Sequence, residues 1–297
     1  GKRGPWALRY ITMGKYKKIL VAIDGSESSM HALSESFKLA ANEKSWVTVV
    51  SVVPPYTGDL DIVGVGRDIF QSMRRPYEKA ISDALALAKA EGASIKTVCE
   101  EGEPYERIVD IASAKKCDLI VMARRGLKRL ERVFVGSVTA RVIGHSSVDV
   151  LVVPKDTTIG WQRILLATDG SKYSKAAAER AIDIARSYVG ELKIISIVDV
   201  PSEFYAESPK TVEGLVNNAK SYVESVRKQA EASGVKAEAI VREGETYRVI
   251  AGLAAEQKAN TIIMGSHGRT GIRRLLMGSI TEKVIGHTPC PVLVVRM

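Results

Sequence analysis

Short apolar runs alternate with amphipathic stretches along almost the whole chain. The apolar runs are rich in β-branched residues and stand between turn signals, which is typical of buried strands. In the stretches between them, apolar residues recur near the 3.6-residue period of a helix, as they do at Met30, Leu33, Phe37 and Ala41. Strands that alternate with helices predict a parallel sheet covered on both faces. Right-handed crossovers then give an α/β fold with an open, doubly wound sheet.

This alternation occurs twice in the same order. The matching segments are 19–26 and 164–171, 101–105 and 243–247, 142–145 and 284–287, and 149–153 and 291–295. An internal repeat decides the architecture, and a length of 297 residues suits two domains of ordinary size. We therefore expect an N-terminal extension or expression remnant (1–14), a first domain (15–154), a linker (155–162) and a second domain (163–297).

The pattern predicts five strands in each domain. In the first domain the strands are expected at 17–23, 47–53, 95–99, 118–122 and 149–153, and the helices at 28–42, 73–91, 104–116 and from 137. In the second domain the strands are expected at 163–167, 192–198, 236–241, 261–264 and 291–295, and the helices at 173–189, 211–233, 246–258 and 279–287. Residues 54–71, and the segment holding Pro201 and Pro209, are expected to be loops.

A glycine-spaced loop follows the fourth predicted strand of each domain. In the second domain it reads Gly-x2-Gly-x9-Gly-Ser, from Gly265 through Gly268 to Gly278 and Ser279. Glycine lets a backbone approach a ligand closely, and a Gly-Ser pair that opens a helix offers N–H groups and the positive dipole end to an anion. The first domain keeps this spacing but has Ala123 in place of the first glycine. The loop predicts a phosphate site that is intact in the second domain and degenerate in the first.

An aspartate follows the first strand of each domain directly, at Asp24 and Asp169. Ligands of open parallel sheets bind outside the carboxyl ends of the strands, where the strand order switches, so both aspartates and both loops are predicted to lie at that edge. Each aspartate could instead only cap the next helix, because Asp-Gly-Ser before a helix is ordinary turn chemistry. Ser137 and Ser279 carry the same alternative.

The charge of the chain favours an anionic small molecule as ligand. The formal net charge is +9, with 43 basic and 34 acidic residues. The densest basic run comprises Arg124, Arg125, Lys128, Arg129 and Arg132. Such a run could neutralise nucleic-acid phosphates, but it holds no aromatic stacking partners, and aromatic residues make up only 6% of the chain. Nucleotide phosphates or a solvated rim are the better explanation, and nucleic acid is not an expected partner.

Three scattered cysteines, Cys99, Cys117 and Cys290, fit reduced thiols of a cytoplasmic protein better than a disulfide framework. His287-x2-Cys290 is too sparse for a zinc site, and no metal ligands are predicted. No apolar stretch approaches the ~20 residues of a membrane span. We therefore expect a cytoplasmic protein that has no membrane partner.

Three sequence marks together resemble the universal stress protein family. They are the Val-Ala-x-Asp-Gly-Ser start at 21–26, the Gly-x2-Gly-x9-Gly-Ser loop, and the closing His-x-x-Cys-Pro-Val-Leu-Val-Val at 287–295. The resemblance covers both repeats and identifies a tandem member. It implies two tandem Rossmann-like domains of the adenine nucleotide alpha hydrolase-like type, each an open parallel five-stranded sheet with helices on both faces. It also implies that the domains pair about a pseudo-twofold axis through their last strands.

Members of that family that have this loop bind ATP or a related adenine nucleotide, so the resemblance implies a ligand and the residues that hold it. The ligand expected is ATP or AMP, with Mg²⁺ or Mn²⁺ on the phosphates. In the second domain the implied residues are Ala167, Thr168, Asp169, Ile197, Met264, Gly265, Gly268, Arg269, Gly278, Ser279 and Ile280. In the first they are Ala22, Ile23, Asp24, Val52, Met122, Ala123, Gly126, Gly136, Ser137 and Val138.

The leading functional hypothesis is a nucleotide-responsive stress or regulatory module. The chain has no Walker lysine after its glycines and no paired carboxylates or Ser-His-Asp set, so no catalytic residues are predicted and at most slow ATP hydrolysis is expected. A weak ATPase of the same fold is one alternative. The other is an adaptor in which one site is silent. An unidentified protein partner and a homodimer of the whole chain are further expectations.

Overall fold

The computed structural model describes residues 15–55, 65–124, 135–268 and 277–297. The first unit comprises β1 (Lys18–Ala22), α1 (Glu27–Glu43), β2 (Trp46–Val53), α2 (Val65–Ala90), β3 (Ile95–Glu101), α3 (Pro104–Ala114), β4 (Leu119–Ala123), α4 (Ser137–His145) and β5 (Asp149–Val153). The second comprises β6 (Arg163–Ala167), α5 (Lys172–Tyr188), β7 (Glu191–Val198), α6 (Ser202–Glu207), α7 (Pro209–Ala232), β8 (Ala237–Glu243), α8 (Thr246–Glu256), β9 (Thr261–Gly265), α9 (Ser279–His287) and β10 (Val292–Val295).

The ten strands form one sheet in the order β3-β2-β1-β4-β5-β10-β9-β6-β7-β8. Within each unit every neighbouring pair is parallel. Strands β5 and β10 join the units as an antiparallel pair, with Leu151 opposite Leu293. The two predicted five-stranded parallel sheets, and their pairing through the last strands about a pseudo-twofold axis, are confirmed.

Helices cover both faces of the sheet because alternate strand residues point to opposite faces. On one face Ile19 and Val21 of β1 belong to a buried cluster with residues of α1, α2, α5 and α7. On the other face Leu20 belongs to a second cluster with residues of α3, α4, α8 and α9. Each cluster continues through both units, so the units share two apolar layers.

Two predicted loops contain helix. Helix α2 begins at Val65 instead of the expected residue 73 and carries Pro76 inside it. A proline in a helix removes one backbone donor and favours a break at that point, but α2 packs along β2 and β3 and continues through it. Helix α6 lies between Pro201, its N-cap, and Ser208. Pro209 then opens α7, a position where the missing N–H has no helical partner to lose.

The described helices include none that is both long enough and apolar enough to span a membrane. The three cysteines are free, with Cys117 and Cys290 buried and Cys99 partly exposed. Burial raises the pKa of the Cys290 and Cys117 thiols, so both stay in the unreactive protonated form at neutral pH.

Candidate functional site

The strand order of each unit switches at its first strand. In the second unit β6 lies between β9 and β7, and in the first unit β1 lies between β4 and β2. The chain leaves β6 and β9 at the same edge of the sheet, because parallel strands end on the same side. The edge where β6 and β9 end is the crevice in which the predicted aspartate and glycine loop of the second unit meet.

Asp169 shapes the turn between β6 and α5. Its Oδ1 accepts the N–H of Ser171 at 2.9 Å, while the Ser171 Oγ accepts the N–H of Ser174 at 3.2 Å and caps the helix. Asp24 makes the corresponding bond to the N–H of Ser26 at 3.0 Å, and Ser26 caps α1. The N-caps are therefore the serines, and each aspartate makes the turn that precedes its helix.

Apolar side chains line the sheet beside Asp169. Ile195 lies opposite Ala167 in the ladder, and Ile197 points to the same face two residues further along β7. Met264 follows Ile263, which pairs with Leu166, so it lies level with Ala167. Ala167 and Ile197 are half-buried and Met264 is buried, all against one apolar cluster. The hydroxyl of Thr168, in contrast, is buried and bonds to the Ser174 Oγ at 3.1 Å.

The loop after β9 folds back onto the Asp169 turn. A Cβ placed on Gly268 would lie 2.9 Å from the Asp169 Oδ2, and one on Gly265 would lie 2.8 Å from the backbone of Tyr173. The N–H of Gly278 donates to the Ser266 carbonyl at 2.9 Å and closes the loop. The backbone of Tyr173 thus requires glycine at 265, whereas a Cβ on residue 268 would meet only the end of the Asp169 side chain. The spacing alone did not reveal these contacts.

Helix α9 opens at this loop with no side-chain cap. Its N-cap is Gly278, which has no side chain to accept the first-turn N–H groups. Ser279 and Ile280 follow in the first turn and are exposed, the latter by 43%. The buried Thr281 hydroxyl instead donates to the Gly265 carbonyl at 3.1 Å. The helix start carries partial positive charge and can hold an anion.

The first unit builds the same frame with different loop chemistry. Ala123 is the last residue of β4, and its carbonyl accepts the Thr139 hydroxyl at 3.2 Å, as Gly265 does from Thr281. The next residue, Arg124, turns away from the crevice. Its guanidinium donates to the carbonyl of Thr288 at 3.1 Å, at the carboxyl end of α9 in the other unit.

Other candidate residues of the first unit lie near the carboxyl ends of its strands and at the start of α4. Ala22, Val52 and Met122 are buried in the same apolar cluster that contains Met264. The N–H of Ile23 donates to the Val50 carbonyl at 2.9 Å. Gly136 is the N-cap of α4, and Ser137 and Val138 follow it in the first turn. Beside Asp24, burial and then the aspartate charge raise the pKa of Tyr77.

Two tyrosines near the second site were not predicted. Tyr173, in the first turn of α5, lies beneath the loop with its ring 5.2 Å from the His267 ring. Tyr222 of α7 lies against Gly170, since a Cβ there would be 2.6 Å from its ring. In the sequence both are helix residues that no motif marks. His267 also bonds through Nδ1 to the Ser266 Oγ at 3.1 Å.

Several predicted residues lie outside the described part of the chain. They are Arg269 in the second loop, and Gly126, Arg125, Lys128, Arg129 and Arg132 in the first. Among the residues that are described, no group of three or more His, Cys, Asp or Glu side chains could hold a metal ion.

Comparisons with known proteins find the same family for both units. The model of the family described as "Universal stress protein family" matches residues 15–154 and again 160–296. A universal stress protein of Methanocaldococcus jannaschii is 38% identical over 142 residues, which cover 46% of this chain and 82% of that protein. One of Mycolicibacterium smegmatis is 24% identical over 292 residues, 94% of this chain and 96% of that one.

A solved structure shares the two-unit architecture. The universal stress protein from Archaeoglobus fulgidus DSM 4304 superposes with a TM-score of 0.73 and 22% identity, covering 96% of this chain and 98% of that chain. At this identity the likeness concerns the fold.

Proposed function

Since the chain belongs to the universal stress protein family, we propose that its second unit binds an adenine nucleotide, ATP or AMP, in the crevice between β6 and β9. The observation that carries this proposal is the approach of the loop to Asp169, with the Gly268 Cβ position 2.9 Å from the carboxylate. That approach brings a carboxylate, an apolar strand surface and a helix start to one crevice. An adenine nucleotide needs these three kinds of contact.

Each part of the nucleotide has a matching surface. The apolar side chains of Ala167, Ile197 and Met264 suit the adenine ring. The Asp169 carboxylate suits the hydroxyls of ribose, because a carboxylate accepts hydrogen bonds from hydroxyl groups. The first turn of α9 at Gly278, with Ser279 and Ile280, suits the phosphates. The family resemblance adds Arg269 to the phosphate set.

The divalent ion that accompanies ATP would be held mainly by the nucleotide. Mg²⁺ usually keeps several waters and takes its other ligands from phosphate oxygens and one or two side chains. Binding and release of the nucleotide, rather than its turnover, then supplies the signal of a stress-regulatory module.

The first unit is proposed to bind nucleotide more weakly. Its loop begins with Ala123, whose methyl group leaves a nucleotide less room to approach the backbone than glycine would. The positive charge that follows, Arg124, is engaged with the carbonyl oxygens of Ile285 and Thr288 of the second unit. One tightly bound nucleotide per chain is therefore the expected stoichiometry.

Ser279→Asp tests the proposal without disturbing the helix. An acidic residue in the first turn interacts favourably with the helix dipole and stabilises the helix. It also places a negative charge where the phosphates would bind. We expect the Kd for ATP and AMP, measured by isothermal titration calorimetry, to rise roughly tenfold or more, which corresponds to about 1.4 kcal/mol. The thermal midpoint of the free protein should stay the same or increase slightly.

Ser137→Asp is the matched control, since it makes the same change at the start of α4 in the first unit. It should leave the tight site unchanged. Equal affinity in the wild type and Ser279→Asp, or loss of the tight site in Ser137→Asp, would contradict the assignment. Chromatography of the nucleotide after incubation addresses the ATPase alternative, because recovered ATP supports binding and accumulating ADP supports turnover.

A further inference from the structure

The contact between the two units contains buried charge. Asp149, the first residue of β5, is only 2% exposed. Its carboxylate lies 3.2 Å from the Arg180 guanidinium of α5 and accepts the backbone N–H of Arg296 at 3.1 Å, both from the second unit. Tyr16 of its own unit donates a third hydrogen bond at 2.8 Å. Two of the three partners that hold this carboxylate thus come from the opposite unit.

A second buried carboxylate lies at the pseudo-twofold axis. Glu43 is the last residue of α1, Tyr188 is the last residue of α5, and both helices have 17 residues. The Tyr188 hydroxyl donates to the Glu43 carboxylate, which also accepts the N–H of Tyr16 at 3.1 Å. Equivalent positions of the two units therefore touch each other directly, and one position is acidic while the other is neutral.

An ion pair at the edge of the interface also involves a position whose charge differs between the two units. The Lys15 ammonium lies 2.8 Å from the Asp183 carboxylate across the interface. Asp183 is the twelfth residue of α5, and the twelfth residue of α1 is Lys38. At these two contacts the position that is acidic in one unit is thus neutral or basic in the other.

We infer that this interface selects its partner by charge: the face of the first unit, built around Asp149 and Glu43, accepts a second unit and rejects a copy of itself. The partner it fits is the second unit of the same chain or of another copy of the chain. The selection follows from the residues that the repeat places at equivalent positions.

Replacing the second unit by another first unit removes every partner of Asp149 from across the interface. Arg180 is the ninth residue of α5, and the ninth residue of α1 is the acidic Glu35. Glu35 already faces the segment that links the two units, since its carboxylate accepts the Ile159 N–H at 2.9 Å. The position of Arg296 is taken by Pro154, which has no N–H to donate. Asp149 would then be buried against a second carboxylate.

The other two contacts would also become repulsive. At the axis Glu43 would meet a second Glu43, and at the edge of the interface Lys15 would meet Lys38. Like charges placed together in an interface are a known means of excluding wrong partners. A pair of two second units loses these contacts but gains no such repulsion, because Tyr188 would meet Tyr188 and Arg180 would face Pro291. The rejection is therefore strongest between first units.

A nicked form of the full chain tests the selection. A protease site inserted between Asp156 and Thr157, next to exposed Lys155, allows the folded protein to be cut between its units. The nicked protein is unfolded in urea, refolded by dilution and analysed by native mass spectrometry, where the three pairings differ in mass. We expect mixed pairs to predominate by roughly a hundredfold over pairs of first units. Comparable amounts of the two would overturn the inference.

A double-mutant cycle in the uncut chain provides a second measurement that needs no refolding of halves. Asp149→Asn and Arg180→Met should show a coupling of at least about tenfold in the unfolding equilibrium constant. Asp149→Asn and Arg186→Met are the control pair, because Arg186 is exposed and contacts Asp183 of its own unit at 3.4 Å. This pair should be additive. Additive behaviour of the first pair would overturn the inference even if the nicked halves failed to refold.

Discussion

Single residues show how closely the two repeats resemble each other and where they part. Gly25 and Gly170 occupy the same turn with φ values of +81° and +76°, a conformation in which a side chain is strained. Their surroundings differ, because the Gly170 Cβ position is 2.6 Å from Tyr222 whereas that of Gly25 is 3.3 Å from Ala80. The same motif is therefore more tightly enclosed in the second unit.

We predict that Gly170→Ala destabilises the protein more than Gly25→Ala does. Both substitutions carry a backbone penalty of about 1–2 kcal/mol, and Gly170→Ala adds about 1–3 kcal/mol for overpacking against the Tyr222 ring. Urea unfolding of the two variants measures the difference. In a Tyr222→Ala background the two glycine substitutions should cost the same. If the difference persists there, the tyrosine is not its cause.

At the scale of elements, two arginines bind the helix ends of the opposite unit. Arg124, just after β4, reaches the carboxyl end of α9, and Arg296, just after β10, reaches that of α4. The acceptor carbonyls lie at equivalent helix ends, but the two arginines occupy different positions of the repeat, since one follows a fourth strand and the other a fifth. A guanidinium at the end of a helix satisfies carbonyl groups that lack helical partners and complements the dipole. Each unit thereby supports the helix that opens the other unit's predicted phosphate site.

Arg296→Met should destabilise the chain by about 1.5–3 kcal/mol, the usual range for hydrogen bonds to charged groups. Its guanidinium donates to the Ser146 carbonyl at 2.7 Å and the Gly144 carbonyl at 3.4 Å. Burial lowers the pKa of Arg296, so the charge is held in a poorly solvated place. Arg124→Met should lower the free energy of unfolding less, because the hydrogen bonds of Arg124 are longer, at 3.1 and 3.5 Å. Urea midpoints and hydrogen exchange at the end of α4 measure both. A larger loss in Arg124→Met would contradict this ranking.

Element boundaries were predicted well where local signals agree. Helix α1 extends one residue beyond the predicted 28–42 at each end. Helix α5 begins and ends one residue before the predicted 173–189. The loop predicted at 54–71 missed the start of α2 at Val65, and the loop predicted around Pro201 and Pro209 missed the short α6. Local turn signals favoured a loop in both segments, but α2 packs against β2 and β3.

The whole molecule depends on an interface that is apolar at β5–β10 and charged around it. Burial raises the pKa of Asp149, and the charge of Arg180 and the N–H of Arg296 offset that effect only in part. Ionisation of Asp149 therefore costs stability at neutral pH, because the partners repay only part of the desolvation. This agrees with a role in choosing the partner unit.

The pH dependence of stability follows from that shift. Because the folded pKa of Asp149 lies above its ordinary value of 3.8, the folded state binds the proton more tightly than the unfolded state does. The cost of ionisation is fully present above the folded pKa and disappears as the pH falls toward 3.8. The unfolding free energy of the wild type, relative to Asp149→Asn, should therefore increase on acidification.

Urea unfolding of both proteins between pH 7 and pH 4 checks this prediction, since the other groups contribute equally to each. If the unfolding free energy of the wild type, relative to Asp149→Asn, stays constant or falls on acidification, then burial does not raise the pKa of Asp149.

The sequence alone determined the family, the two repeats, the parallel sheets and the pairing of the last strands. The repeats and the parallel sheets follow from local periodicity and from motifs such as Asp-Gly-Ser. The pairing of the last strands follows from the family resemblance that those motifs carry. The sequence could not show that Arg124 contacts α9, that Tyr222 encloses Gly170, or that Asp149 is held by Arg180. Those contacts join residues far apart in the chain, so they depend on how the two sheets meet and not on any local pattern.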